Sequence, residues 1–305
     1  MNVSSSRFNT RTSSSTATQI KTIGIIGGVG PVAGVDIIEK ICIHTVAKTD
    51  QEHIPIILFS KPNEIADRTE YLLHTHKNHT PAHLTAPSET ATATRKTDSN
   101  HHKITTDSKS DLANPGLAIG NIALELYRTG AQIIGIPCNT AHAPPIFHEI
   151  EQITQPLIKT HTLKLINMIT ATLETLVKNH PHLKKIGLFA TQGTYSANIY
   201  EHNATKLGLT IINPQPEDRK KIHDAIYHPA YGIKAHFPVT RQAITVFETI
   251  SKKLIATGAE AIIMGCTEVP LAMKYISLAV PKIDPTEVLA RTLIYHAAPH
   301  KLKPL

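Results

Sequence analysis

Ile136-Pro137-Cys138-Asn139-Thr140-Ala141-His142 follows the apolar run 131–135 and precedes Pro144-Pro145. The arrangement returns further along as Gly258-Ala259-Glu260-Ala261-Ile262-Ile263-Met264-Gly265-Cys266-Thr267-Glu268-Val269-Pro270, again Gly, Ala, an apolar run, Cys, polar residues and Pro. Cys138 and Cys266 stand 128 positions apart, and so do the Thr-Gly-Ala triplets beginning at Thr129 and Thr257. Each copy predicts a helix closed by a left-handed glycine (Gly130, Gly258), a short buried strand, and a turn into a helix opened by proline. Both cysteines then fall just past a strand and ahead of a helix N-terminus, where free N–H groups and the helix dipole bind anions and lower a thiol's pKa. A lone cysteine is most often a small buried hydrophobe. Two at equivalent places in two repeats argue for chemistry.

Working outward, residues 21–31 read as a buried strand entering a glycine turn, Gly27-Gly28-Val29-Gly30-Pro31, followed by an apolar-periodic helix to about Val46. Residues 184–194 mirror this strand and turn, with Gly187 matching Gly24. Residues 54–59 and 209–212 read as further strands, 117–128 and 163–178 as helices, and 282–286 as a last strand and turn before a helix over 287–297. Gly24 to Cys138 spans 114 positions and Gly187 to Cys266 spans 79. The excess matches residues 75–113, a Thr-, Ser-, His- and Lys-rich stretch with too little apolar surface to offset the entropy of ordering, read as a low-complexity insertion. Six histidines lie in 74–102 without the regular spacing of a metal site, so no metal is expected.

Strands alternating with helices predict an α/β protein of two pseudosymmetric domains, each a parallel sheet flanked by helices, with a cleft between them. The expected boundaries are a disordered tail over 1–20, a first domain over 21–160 plus 283–305, and a second over 161–282. The tail is Ser/Thr-rich with two arginines and no acid, and has no hydrophobic core of a secretory leader. Three cysteines without a close pair fit reduced thiols in the cytoplasm, and Cys42, inside the apolar run 37–46, reads as core. The formal charge of +7 lies mostly outside the folded body: residues 1–21 contribute +3, 75–113 contribute +1 and the last five residues +2. No nucleic-acid partner and no membrane are therefore expected, and no apolar run approaches the roughly 18 residues of a span.

Two thiols facing each other across a cleft can take a proton from one face of a carbon and return one to the other, inverting the centre. Arg68, in the loop 61–70 after the second strand, is a planar bidentate partner suited to a carboxylate, whereas Lys234, in a glycine-containing loop after Tyr227 and Tyr231, reads ordinarily as a surface lysine. The turn at Gly28 also fits a loose dinucleotide fingerprint, but the next strand ends in Ser60-Lys61 without a ribose-binding acid. An NADP-binding oxidoreductase and a non-catalytic anion binder stay open as alternatives.

These motifs together, Ile25-Ile26-Gly27-Gly28-Val29-Gly30-Pro31, Asn63 with Asp67-Arg68-Thr69, Pro137 to His142, Gly232-Ile233-Lys234 and Gly265 to Pro270, resemble the aspartate/glutamate racemase superfamily. Glutamate racemases show an Asp-Ser-Gly opening and a His after the second Cys-Thr. Here Ile26-Gly27-Gly28 and Glu268 stand instead, so the chain is more similar to the aspartate racemase branch. The resemblance implies a cofactor-independent isomerase acting on an acidic amino acid, chiefly aspartate, and a homodimer. It implies Cys138 and Cys266 as the acid/base pair, Arg68 and Lys234 on the substrate carboxylates, and Asn139, Thr140 and Thr267 on the α-carboxylate. Asn63 and Gly28 join the substrate site, with Asp67, Glu268 and His142 in support. A broad-specificity amino-acid or hydantoin racemase and a maleate isomerase of the same fold remain the enzymatic alternatives.

Overall fold

The computed structural model describes residues 19–79 and 112–305. The first 18 residues and most of the segment read as a low-complexity insertion lie outside the described residues. In chain order the elements are β1 (Ile23–Gly27), α1 (Pro31–His44), β2 (Ile56–Ser60), α2 (Arg68–His79), α3 (Pro115–Arg128), β3 (Ile133–Gly135) and α4 (Pro144–Lys159). Then come β4 (Lys164–Ile166), α5 (Met168–Asn179), β5 (Lys185–Ala190), α6 (Gln192–Ser196), α7 (Ile199–Lys206), β6 (Thr210–Ile212) and α8 (Pro216–Tyr227). The chain continues with α9 (Arg241–Ala256), β7 (Ala261–Gly265), α10 (Val269–Met273), β8 (Lys282–Ile283) and α11 (Pro285–Ala297).

The strands form two four-stranded parallel sheets, ordered β2-β1-β3-β4 and β6-β5-β7-β8. The two orders superimpose when each strand of the first half is matched to its counterpart in the second, as the 128-residue repeat requires. Close packing shows the same register. A Cβ on Gly24 would meet Ala131 at 2.8 Å, with Ile134 and Leu126 next, and a Cβ on Gly187 would meet Leu254, Ala259 and Ile262 at 3.2–3.3 Å. These two neighbour sets are the same three positions shifted by 128. Glycine at each place lets the helix and strand of the repeat lie directly on the neighbouring strand. Gly130 (φ 102°) and Gly258 (φ 96°) are left-handed at the ends of α3 and α9, as their sequence positions predict.

The core runs through both halves. One cluster joins Ile26, Ile134 and Ile146 of the first half to Ile186, Leu188, Tyr200 and Ile263 of the second, so the halves bury apolar surface against each other. A second, made of Ile23, Ile25, Ile37, Ile41, Leu289, Leu293 and Ile294, is completed by α11, which returns from the second sheet to pack on α1 and α5.

Several expectations need correction. The helix expected over 163–178 is a three-residue strand followed by a helix: β4 pairs with β3, and Asn167 caps α5 by accepting from the backbone N–H of Ile169 and Thr170. Residues 164–166 therefore complete the first sheet although the expected boundary placed them in the second domain, and Ile283, placed in the first, pairs with Ile263 in the second sheet. Helix α2 reaches His79, five residues into the segment read as low-complexity. Cys42 is exposed, not core: Ile37 and Ile41 occupy the buried stripe of α1, and residue 42 lies about 100° further round.

Candidate active site

The C-terminal ends of the strands carry the site, which is where open parallel sheets bind ligands. Val29 follows β1, Arg68 and Thr69 open α2 after β2, and Cys138, Asn139 and Thr140 follow β3. From the second sheet Thr191 follows β5 and Cys266, Thr267 and Glu268 follow β7, while Tyr227 ends α8 and Lys234 stands in the loop beyond it. These residues line one pocket with about 290 Å³ of empty space, counting its open side. Both cysteines belong to it.

Glu268 organises one wall. Its carboxylate is 4% exposed and forms an ion pair with Lys234 through Oε1, while Oε2 accepts from the Cys266 thiol at 3.0 Å and the Thr267 hydroxyl at 3.1 Å. Burial works against the carboxylate's charge, but Lys234 and the two donors outweigh it and hold Glu268 below the usual carboxylate range. Burial likewise opposes the Lys234 ammonium, yet Glu268 and Cys266 keep it above the ordinary lysine value, and the ammonium lies 5.4 Å from the Tyr227 ring centroid. Burial and the Glu268 charge push the Cys266 thiol well up, so it is held protonated. This overturns the expectation of a helix terminus lowering that thiol's pKa: α10 is only five residues long, and desolvation dominates.

The opposite wall centres on Arg68. Its guanidinium donates to the carbonyl oxygens of Val29 at 3.1 Å and Ala66 at 3.3 Å, and lies within hydrogen-bonding reach of the Cys138 thiol. Burial disfavours its charge, the neighbouring Cys138 and Asp67 favour it, and the net direction is up. Among the described residues, Arg68 Nε, Thr69 Oγ1 and Asn139 Nδ2 are buried in this pocket wall with no hydrogen-bond partner. All three can donate, which suits an anionic ligand. Thr140 Oγ1 bonds Thr191 and Thr194 at 3.2 and 3.0 Å, tying the Cys138 loop to the second half.

Eight of the residues singled out in the sequence thus reach the pocket, and four do not. Asn63 is exposed on a 3-10 turn over Pro62–Glu64. Gly28 packs against the backbone of Lys61 and Pro62. Asp67 caps α2, accepting from the Glu70 N–H at 2.8 Å. His142 is 4% exposed, stacks on Phe147, and bridges the Cys138 carbonyl at 2.8 Å to the Met168 N–H at 3.1 Å. Because Nε2 accepts from Met168, the ring proton sits on Nδ1 and is donated to Cys138. Thr69, Thr191 and Tyr227 line the pocket without having been given a role from the sequence, although Thr69 stood in the Asp67-Arg68-Thr69 motif. For Thr191, the match between 184–194 and the first strand-turn was the available signal.

Burial lowers the His142 pKa to about 4 from an ordinary 6.5, outweighing the hydrogen bond to the Cys138 carbonyl, which favours the charged ring. The unfolded chain therefore takes up this proton at higher pH than the folded one. Stability from this group is full above pH 6.5 and is lost as pH falls to about 4, a loss of about 3 kcal/mol. The expected result is a denaturation midpoint that falls across this window, with the slope reduced by one proton in His142→Gln. An unchanged slope in that variant would mean another group titrates.

Comparisons with known proteins agree with this geometry. A family model described as Asp/Glu/Hydantoin racemase matches residues 69–293. The chain is similar to the solved structure of Picrophilus torridus aspartate racemase, 28% identical with a TM-score of 0.65, covering 93% of this chain and 96% of that one. It is 27% identical over 180 residues to the broad specificity amino-acid racemase RacX of Bacillus subtilis, 58% of this chain and 70% of the relative. It is 27% identical over 215 residues to glutamate racemase of Carboxydothermus hydrogenoformans, 67% of this chain and 70% of the relative.

Proposed function

The chain belongs to the Asp/Glu/hydantoin racemase family, and from that premise we propose that it interconverts the enantiomers of an acidic amino acid, aspartate before others, by proton transfer between Cys138 and Cys266. The observation that carries the reading is the presence of both thiols in one small pocket with Arg68, Lys234 and three unpartnered buried donors. Charge supports the substrate class. Two cations and one carboxylate line the site, giving it a net positive charge, and an acidic amino acid with two carboxylates and one ammonium is a net anion. The similarity to an aspartate racemase over nearly the whole of both chains supports aspartate among the acidic amino acids.

The chemistry runs as follows for one direction. Cys138 takes the α-proton as the base, and the electron pair left on the α-carbon spreads into the α-carboxylate. Arg68 Nε, Thr69 and Asn139 donate toward that growing negative charge. Cys266, held as the thiol, delivers its proton to the opposite face, leaving a thiolate that Lys234 steadies. One S–H and one C–H bond break and one of each forms, so nothing is oxidised or reduced. The reverse reaction starts from the opposite protonation state.

The test is proton NMR of L-aspartate with the reduced protein in D2O, followed by chiral chromatography. Loss of the α-proton signal with appearance of D-aspartate is expected. Exchange with glutamate or neutral amino acids but not aspartate would move the substrate to those relatives' range. No exchange with any of them would end the reading.

A further inference from the structure

Asn139 and Tyr200 meet across the boundary between the two halves. Asn139 lies 2% exposed in the loop after β3, and Tyr200, fully buried, is the second residue of α7. The Tyr200 hydroxyl donates to Asn139 Oδ1 at 2.5 Å. Asn139 lines the pocket and Tyr200 does not, while the other arm of the amide, Nδ2, is buried with no partner. A phenol is a better donor than acceptor, so its hydroxyl selects the amide oxygen and turns the NH2 group the other way. An amide without such a tether could as easily present its oxygen, which would repel a carboxylate.

We infer that Tyr200 is a positioning residue: its hydroxyl fixes the Asn139 amide so that the NH2 group faces the pocket as a ready donor for a ligand carboxylate. The inference deepens the proposed function and rests on its dicarboxylate ligand. Tyr200 never touches substrate and acts wholly through Asn139.

A double-mutant cycle tests this, with Y200F, N139A and Y200F/N139A compared by KM and kcat for L-aspartate and by calorimetric binding of succinate, which needs no turnover. Loss of an ordered donor to a charged group is expected to raise KM and the succinate Kd about tenfold in Y200F, with kcat within about threefold of wild type. The double variant should bind no more weakly than N139A alone, because the tyrosine has nothing left to position. N139D covers the case in which Y200F unfolds. It keeps an oxygen for Tyr200 and presents no donor, so it should melt near wild type and bind succinate as weakly as N139A. Penalties that multiply in the double variant, unchanged binding in Y200F, or wild-type binding in N139D would each overturn the assignment. Succinate binding with the expected coupling but no aspartate turnover removes the functional reading alone. Aspartate turnover with additive penalties removes this inference alone, and a wild-type protein that binds no dicarboxylate removes both.

Discussion

Replacing Cys138 with Ala, or Cys266 with Ala, is expected to lower racemisation of L-aspartate by about 10²–10⁴-fold, because a positioned acid or base contributes that much and a methyl group can serve as neither. The two variants should look alike in racemisation, since the proposed two-base mechanism needs both thiols. They should differ in what remains: in Cys266→Ala the Cys138 thiolate can still withdraw a proton without an acid opposite, so slow exchange with retention is expected from one enantiomer only. Both thiols are 7% exposed and each change removes a single sulfur, so unfolding midpoints should move by no more than about 1 kcal/mol. Measuring exchange by NMR on each enantiomer separates these outcomes. Racemisation within tenfold of wild type in either variant would rule out a two-thiol mechanism.

Glu268→Gln carries the second large effect. The amide keeps the shape but leaves the Lys234 ammonium without its counter-charge in a pocket where it is only 24% exposed, and breaking such a pair costs about 3 kcal/mol. The wild-type pair contributes fully above the ordinary glutamate pKa of 4.5 and is lost as pH falls below it, because Glu268 titrates lower in the folded state. The amide variant should lack that part of the pH dependence. Cys266 should respond in the opposite direction. Burial still raises its pKa, but the neighbouring negative charge is gone and Lys234 is freed to favour a thiolate, so the pKa falls. Alkylation of Cys266 followed by mass spectrometry between pH 7 and 10 should therefore be faster in Glu268→Gln than in wild type at each pH. Equal or slower alkylation would mean that Glu268 does not govern this thiol.

Much of this architecture could be read before the coordinates, because a repeat writes the same packing problem twice. The 128-residue register of the cysteines and the glycine pair Gly24 and Gly187 foretold two matching sheets, and the strand-end positions of Cys138 and Cys266 foretold that they would line one pocket. What escaped depends on contacts that periodicity does not encode. Strand β4 has three residues, too few to show alternation, and only Asn167 hinted that a helix began after it. Cys42 was misread because an apolar run names a helix without saying which residue of it faces out. Glu268 was visible as the residue after Cys266-Thr267, but not as the acceptor shared by a thiol, a hydroxyl and an ammonium. The Tyr200–Asn139 bond joins residues 61 positions apart and had no local signature.

Helix α11 follows the whole second sheet in the chain yet covers the first, with Leu289, Leu293 and Ile294 packed among Ile23, Ile25, Ile37 and Ile41. The order of synthesis therefore runs against the order of assembly. A nascent chain emerging from the ribosome has its first sheet made early, with α1 and α5 beside it, but lacks α11 through the translation of every strand up to β8. Domain-by-domain cotranslational folding, the usual protection of long chains, is closed to the first half. Until residues 285–297 emerge, that cluster lacks Leu289, Leu293 and Ile294, so a chain ending after Ile283 is expected to be less stable even though both cysteines and every pocket residue had been made.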